Sequence, residues 1–311
     1  MLESSVEFKE ISLYGKRLFL TNDQCTLQEF PENIAVVKQE GLNSRKIKPT
    51  DTIVSVDGVK IGNGNLVIAA GPCAVESEDQ TLEIAETVKK LGADMLRGGA
   101  FKPRTTPYSF QGLGKSGIKI LKQAKEITNL PVVTELMDIS DYEAFNDVDM
   151  IQIGSRNAQN FSLLKFLGSR NQPVLFKNGM ANTITEWLSS AEYLLSGGNE
   201  KIVLCYRGTR GFDNATRFTM DSGTIPVLRE RTHLPICADP SHPAGNRNYV
   251  EAIALASVAA GADMLEVEVH NDPDSALSDS KQQLTFEEFE KLVRNARKIA
   301  EMVHPKMRIE G

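Results

Sequence analysis

Residues 91–96 read LGADML, and residues 260–265 read AGADML. In each copy an amphipathic stretch stops at a glycine and an apolar run of strand length follows. Glycine just past the last helical residue supplies the left-handed backbone of a helix C-terminus. Both copies therefore read as helix end, turn and strand start, and their recurrence signals a repeated helix–strand unit. Working outward, short apolar runs lie at 66–70, 93–96, 132–134, 150–153, 174–176, 202–205, 236–238 and 264–267. Most are rich in β-branched residues and all lack the polar alternation of a half-exposed strand, as expected for strands buried on both faces. Between them lie helical stretches such as 78–91, with Leu82, Ala85, Val88 and Leu91 predicted on one face, 184–195 and 249–260. Eight strand candidates alternating with helices predict an α/β fold, a TIM (β/α)8 barrel. The rival, a doubly wound open sheet, normally places GxGxxG after its first strand, and none stands there.

Upstream, TIVSVDGVKIG at 52–62 has two alternating segments around Asp57-Gly58, a pair suited to a tight turn, and predicts a β-hairpin. Residues 1–45 are the least patterned; short apolar pieces at 11–13, 18–20 and 34–37, broken by polar residues and Pro31, fit a strand-bearing arm. The expected organisation is an N-terminal arm at 1–45, a hairpin extension at 46–65 and the barrel at 66–311.

Over 311 residues, 41% hydrophobic and 24% charged content is that of an ordinary soluble protein. No run of eighteen apolar residues predicts a membrane span, and the N-terminus lacks the apolar core of a signal peptide, so a cytoplasmic protein is expected. Cys25, Cys73, Cys205 and Cys237 are far apart with no CxxC spacing, and free thiols are expected. A net charge of −6 argues against a nucleic-acid binder with a broad basic footprint, though not against a local basic pocket.

In such a barrel the reactive groups project from the C-terminal strand ends. The first strand leads to Cys73, the second to Arg97 and a loop with Lys102 and Arg104, and the third reaches Glu135. The fourth ends in Ser155-Arg156, the fifth in Lys177, the sixth in Arg207, the seventh in Asp239 and His242. The eighth carries Glu266 and Glu268, and its loop holds Ser278-Asp279. Six cations, Arg97, Lys102, Arg104, Arg156, Lys177 and Arg207, predict a pocket for a substrate with several negative charges. Any one of them alone is more often an ordinary surface ion-pair residue; six at strand ends are harder to dismiss. Cys73, His242, Glu268 and Asp279 make a mixed S/N/O donor set for a divalent transition metal, although Cys73 alone is more often an inert buried thiol.

The motifs GPCAVES (71–77), RGGAFKPRTTPYSFQGLG (97–114), IGSRNAQNF (153–161), FKNG (176–179), CYRGTR (205–210), DPSHPAGNR (239–247), EVEVHNDPDSALSDSKQ (266–282) and LTFEEF (284–289) go further. Together they resemble the 3-deoxy-D-arabino-heptulosonate 7-phosphate (DAHP) synthases, type I, in the I-beta-like branch, from about residue 45 to 303. That resemblance implies a metal-dependent transferase of the shikimate pathway acting on phosphoenolpyruvate and erythrose 4-phosphate. It implies phosphoenolpyruvate binding by Arg97, Lys102, Arg156, Lys177 and Arg207, with Ser155 and Asp239 also counted as substrate-binding. Arg104 and Thr105 of KPRT are implied for the sugar phosphate, and Cys73, His242, Glu268 and Asp279 for the metal (Mn, Fe, Co, Zn or Cd). Lys102, Glu135, His242 and Cys73 are implied as catalytic, Glu135 at the water that attacks C2. Relatives are commonly oligomeric, so a homo-oligomer, dimer or tetramer, is expected, with no nucleic acid or membrane partner.

Three positions depart from the branch's pattern: Tyr206 for the glutamate of CERG, Asn178 in FKNG, and Asn246 in the segment Gly245-Asn246-Arg247. Loss of an acid beside Arg207 is expected to make the pocket more positive, and it motivates an alternative in which a different aldose phosphate is the acceptor. A third reading, of another class, is a non-catalytic barrel that binds phosphometabolites and regulates a partner. The 1–45 arm is too short for a full ferredoxin-like regulatory domain or a chorismate mutase, and feedback inhibition has no support in the sequence.

Overall fold

The junctions that echo in sequence repeat atom for atom in space. In the computed structural model, which describes residues 9–20 and 41–303, helix α1 (Glu78–Lys90) ends with Gly92 at φ 100° and α7 (Arg247–Ala259) with Gly261 at φ 101°. The Ala93 N–H donates to Val88 O and the Gly92 N–H to Lys89 O; Ala262 and Gly261 do the same toward Ser257 and Val258. This pair of bonds satisfies the last carbonyls of each helix, and the positive φ is what the glycine is for. The aspartate that follows has its own task. Asp94 Oδ2 accepts the Ile68 N–H, and Asp263 Oδ2 the Ile236 N–H, both at 2.8 Å. Each thereby fastens the start of its strand to the start of its neighbour, and each is paired with an arginine of a packed helix, Arg297 or Arg229.

Eight parallel strands close into a barrel in sequence order: β5 (Val67–Gly71), β6 (Met95–Arg97), β7 (Val132–Glu135), β8 (Met150–Ile153), β9 (Val174–Lys177), β10 (Ile202–Tyr206), β11 (Ile236–Ala238) and β12 (Met264–Glu268). All eight predicted strands are present. The seam is β12 on β5, in register from Met264↔Val67 to Glu268↔Gly71. Outside lie α1, α2 (Lys115–Thr128), α3 (Phe161–Gly168), α4 (Ile184–Leu195), α5 (Thr224–Arg231), the short α6 (Ser241–Ala244), α7 and α8 (Phe286–Val303). The connection between β7 and β8 is a 3-10 stretch, Ile139–Phe145, in place of an α-helix. The predicted inward face of α1 is shifted: Thr81, Ile84, Ala85 and Val88 are buried, while Leu82 and Leu91 are half-buried at its margin. Spacing of three to four residues back from Val88 leads to Ile84 and Ala85, then to Thr81, and leaves the two leucines beside that stripe.

Strand parity divides the barrel into layers. Val67, Ala69, Met95, Val133, Met150, Leu175, Val203, Cys205, Cys237 and Met264 point inward and pack together. The predicted hairpin, β3 (Val54–Val56) and β4 (Val59–Ile61), turns at Asp57-Gly58, and its Val54, Val56 and Ile61 join that inner cluster, closing the barrel's base. One pleat further toward the strands' C-terminal ends, the inward positions become Arg97, Glu135, Gln152, Lys177, Arg207, Asp239, Glu266 and Glu268. An apolar floor under a charged layer is the result.

In the N-terminal arm, β1 (Lys9–Leu13) and β2 (Lys16–Leu20) form an antiparallel hairpin, matching the pieces at 11–13 and 18–20. The piece at 34–37 and Cys25 lie outside the described residues. Cys73, Cys205 and Cys237 are buried free thiols. Among the described residues no helix is long and apolar enough to cross a membrane.

Candidate active site

The charged layer is a linked network. Lys177 Nζ sits 2.6 Å from Asp239 Oδ2 and 2.8 Å from Glu266 Oε2. Glu266 Oε1 faces Arg97 Nε at 3.4 Å, and Arg97 also donates to Pro72 O at 2.6 Å. Asp239 Oδ2 is in turn 2.6 Å from His242 Nδ1. Lys177, Arg97, Asp239 and Glu266 are all buried. Burial presses both cations toward losing their protons, but the carboxylates prevail: Asp239 and Glu266 hold Lys177 well above the usual ammonium range, and Glu266 and Glu268 raise Arg97. Burial likewise opposes the charge of Asp239, yet His242 and Lys177 keep it ionised well below the usual carboxylate range. The expected pocket of cations is thus partly balanced by acids. Arg97 and Lys177 are cations already set between carboxylates, which offset the cost of burying their charges.

Beside the network, Cys73 Sγ, a Glu268 oxygen and an Asp279 oxygen lie within 4.8 Å of one another. Cys73 stands just after β5, Glu268 ends β12, and Asp279 comes from the following loop in a left-handed conformation, φ 49°. The loop is pinned by Gln283, which accepts the Cys73 N–H at 2.9 Å and donates to Ser278 O at 2.8 Å. Gln282 Nε2 donates to Glu268 Oε2 at 2.6 Å, leaving Glu268 Oε1 buried with no hydrogen-bond partner. A buried carboxylate oxygen without a hydrogen bond, ion-paired only loosely with Arg97 at 3.5 Å and facing a thiol and a second carboxylate, offers the mixed donors a divalent transition metal takes, so these residues fit one. His242, expected as the fourth ligand, is adjacent: its Nε2 is 3.8 Å from Glu268 Oε1, while its Nδ1 turns to Asp239. An imidazole oriented by a carboxylate on one nitrogen, with the other turned toward the ligand cluster, is the usual arrangement of a metal-binding histidine.

Lys102 Nζ reaches this cluster, 2.9 Å from Cys73 O and 3.0 Å from Cys73 Sγ. Burial lowers the Lys102 affinity for its proton, but Cys73 and Glu268 reverse the sign and keep it charged. Burial pushes the Cys73 thiol up to about 12. Arg104 donates to Ser278 Oγ at 2.9 Å, and Ser278 Oγ lies 3.0 Å from Cys73 Sγ, so the KPRT loop leans over the cluster. Thr105 is exposed on that loop. Across the mouth, Ser155 and Arg156 form a 3-10 turn after β8, Ser155 half-buried and Arg156 exposed. Glu135, at the end of β7, is held above the usual carboxylate range by burial, against the pull of Lys102 and Lys177, and accepts from Gln152 Nε2 at 3.3 Å. Arg207, at the end of β10, has its backbone N–H on Asn178 Oδ1 at 2.8 Å. The structure thus places the expected site residues at the C-terminal strand ends and the loops that follow them. Asp239, buried, is engaged with both Lys177 and His242.

A family model described as the DAHP synthetase I family matches residues 42–304. The chain belongs to that family. Among curated proteins it is 46% identical over 299 residues to the phospho-2-dehydro-3-deoxyheptonate aldolase of Thermotoga maritima, covering 96% of this chain and 88% of that one. A 2-dehydro-3-deoxyphosphooctonate aldolase of Syntrophotalea carbinolica is 31% identical, with 78% of this chain and 94% of the relative covered. The crystal structure of the Thermotoga maritima phospho-2-dehydro-3-deoxyheptonate aldolase (DAHP synthase) superposes with a TM-score of 0.84 at 43% identity, covering 97% of this chain and 91% of that one.

Within this DAHP synthetase I barrel, the three departures resolve differently. Tyr206 has the outward parity of β10: its ring lies 6.5 Å from Trp187 of α4, and its hydroxyl accepts the Asp221 N–H at 3.4 Å. It belongs to the layer between strands and helices, so the expected change in pocket charge does not arise there. Asn178 is a brace, donating to Gly179 O and Gly208 O while accepting from Arg207. Asn246 caps α7, and its neighbour Arg247 donates its backbone N–H to Lys281 O, steadying the Asp279 loop. Sequence reasoning assigned no role to Glu266, Arg217 or Phe218. Parity could have found the first, since Glu266 and Glu268 must point the same way. Arg217, 3.2 Å from Asp279 Oδ1 and 2.8 Å from Gln282 Oε1, and Phe218, under Arg207, come from an irregular loop that has no period to read.

Proposed function

We propose that the barrel mouth condenses phosphoenolpyruvate with D-erythrose 4-phosphate and water, giving 3-deoxy-D-arabino-heptulosonate 7-phosphate and phosphate, the first step of the shikimate route to aromatic amino acids. The observation that carries this is the convergence, on one rim, of a Cys73–Glu268–Asp279 cluster with Lys102 and the Arg104 of KPRT. Arg97, Lys102, Arg156, Lys177 and Arg207 take the phosphate and carboxylate of phosphoenolpyruvate, and Arg104 with Thr105 takes the sugar phosphate. Cys73, His242, Glu268 and Asp279 would hold a divalent metal, which when bound would supply Lewis-acid polarisation of the aldehyde oxygen. C3 of phosphoenolpyruvate attacks the aldehyde carbon, water adds at C2, and phosphate leaves by C–O cleavage.

The protein's part is positioning and electrostatics. Glu266 and Asp239 fix the direction of Arg97 and Lys177. Glu135, with its raised proton affinity, accepts the proton of the incoming water, and Lys102, charged and close to Cys73, delivers one to the developing alkoxide. The acceptor reading gains support from Tyr206 facing away from the pocket, which removes the reason to invoke another aldose phosphate. We read 1–45 as an arm, 46–65 as the hairpin extension and 66–311 as the catalytic barrel of a cytoplasmic homo-oligomer, which sizing by light scattering tests.

The deciding assay is phosphate release from phosphoenolpyruvate with added manganese, erythrose 4-phosphate set against arabinose 5-phosphate, and the product weighed by mass spectrometry. A seven-carbon product formed at least tenfold faster supports the reading. Preference for the five-carbon sugar overturns the acceptor, and no release with any aldose phosphate overturns the activity. Loss of activity on chelation, restored by metal, supports the metal; full activity in excess chelator removes it.

A further inference from the structure

Arg207 is held unlike the other buried cations of the site. Arg97 and Lys177 each lie against carboxylates, whereas Arg207 forms no ion pair among the described residues. It is 4% exposed, and its NH1 atom has no hydrogen-bond partner. What it has is an aromatic face: the guanidinium carbon sits 3.7 Å from the centroid of the Phe218 ring. The ring is itself built into place. The Phe218 N–H donates to Pro243 O at 3.2 Å, Thr216 Oγ1 donates to Phe218 O at 3.0 Å, and Thr219 pairs with Thr209 through two backbone hydrogen bonds. Gly208, at φ 75°, allows the approach, since a Cβ there would lie 2.7 Å from Thr219 O and 3.3 Å from Phe218 Cβ. On the other side, the Asn178 amide fixes the Arg207 backbone.

We propose that Phe218 is a positioning residue that presents Arg207 to the anionic substrate. A carboxylate partner orients an arginine by occupying the same N–H groups a phosphate or carboxylate ligand needs, and the ligand must then displace it. A ring face attracts the cation through its quadrupole and leaves the planar fork of donors unoccupied at its edge. The guanidinium is thus aligned, desolvated and unsatisfied before substrate arrives. Burial and the nearby Arg217 weaken its hold on the proton, with Asp239 opposing, to a pKa of about 10, so it stays charged at neutral pH. The anion is the phosphate or carboxylate of phosphoenolpyruvate, a choice that rests on the activity proposed above.

The test replaces Phe218 in the full-length protein with mono-, di- and trifluorophenylalanine, which drain the ring face stepwise at almost constant shape, alongside Phe218→Leu and Phe218→Trp. The KM for phosphoenolpyruvate should climb in order of fluorination, to roughly tenfold for the trifluoro ring and for leucine, and return near the original value with tryptophan. The kcat and the KM for erythrose 4-phosphate should stay within about twofold. A flat KM across the fluorinated series overturns the proposal even where leucine is impaired, because packing alone then explains the leucine result. A rise in the sugar phosphate KM instead overturns the assignment of the anion. Calorimetric titration with phosphoenolpyruvate separates this from the activity itself. If the unmodified protein shows no turnover, a stepwise loss of phosphoenolpyruvate affinity still supports Phe218, and an unchanged affinity refutes it.

Discussion

Acid should loosen the base of the barrel through His233. Its ring is buried between Thr52, whose Oγ1 lies 2.8 Å from Nδ1, and Leu42, whose carbonyl lies 2.9 Å from Nε2. A carbonyl can only accept, so Nε2 carries the proton and Nδ1 accepts from the Thr52 hydroxyl, which is the neutral tautomer. Protonation would put a second donor against Thr52 Oγ1, already receiving Lys48 Nζ at 2.7 Å. Burial, with Lys48 and Arg45 nearby, lowers the His233 pKa from 6.5 to about 4, against the bond to Leu42 O. A base with a depressed folded-state pKa contributes stability that is whole above 6.5 and is lost as pH falls through 4, because the unfolded chain takes the proton first. At 1.36 kcal/mol per pH unit the full loss is roughly 3 kcal/mol, most of it gone by pH 4.5. Many other groups titrate in that window, so the measurement is a difference. Urea unfolding of the wild type and of His233→Gln, whose amide offers a donor and an acceptor but does not titrate, should diverge by about 2–3 kcal/mol between pH 7.5 and 4.5. Hydrogen exchange at the Thr52 amide, which donates to His233 O, should quicken over the same range in the wild type. A stability gap between the two proteins that is constant with pH would refute the reasoning.

Three further outcomes are expected. Arg217→Ala removes the cation that orients Asp279 and Gln282, and should weaken metal binding by about tenfold in a competition titration while the far-ultraviolet spectrum is unchanged; unchanged affinity would show the contact to be incidental. Asn178→Ala strands the Arg207 N–H and the Gly208 carbonyl in a buried place, and should lower stability by about 2–4 kcal/mol in chemical denaturation; a cost below about 0.5 kcal/mol would mean that other groups brace the two strand ends. Tyr206→Phe should cost at most about 1 kcal/mol and leave the ratio of rates with four- and five-carbon aldose phosphates alone, whereas a shifted ratio would return Tyr206 to the pocket.

How much was legible depended on whether a residue sits on something periodic. Strands and helices repeat, so the eight runs and the helix 184–195 could be read directly, and the glycines at 92 and 261 marked real helix ends. The rim residues were legible because the barrel fixes which end of a strand carries them. Tyr206 was misjudged by weighing its closeness in sequence to Arg207 above strand parity, which sends adjacent side chains to opposite faces. The Lys177–Asp239–Glu266 linkage was out of reach: partners on three strands are brought together by closure, and spacing alone does not encode it. Phe218 and Arg217 belong to a loop whose course is set by backbone bonds to Thr209 and Pro243.

The seam between β12 and β5 has a further consequence. Cys73 and Asp279 stand 206 residues apart in the chain and meet only because the last strand lies against the first. A cation gripping both would therefore be a clasp on the ring. A ligand that binds only the closed form stabilises it in proportion to the logarithm of its concentration, about 4 kcal/mol at a thousandfold excess over its Kd. The exchange runs both ways. With such a cation bound, fraying along this one edge would release it, and starving the protein of it would lower the cost of opening at that edge before any other.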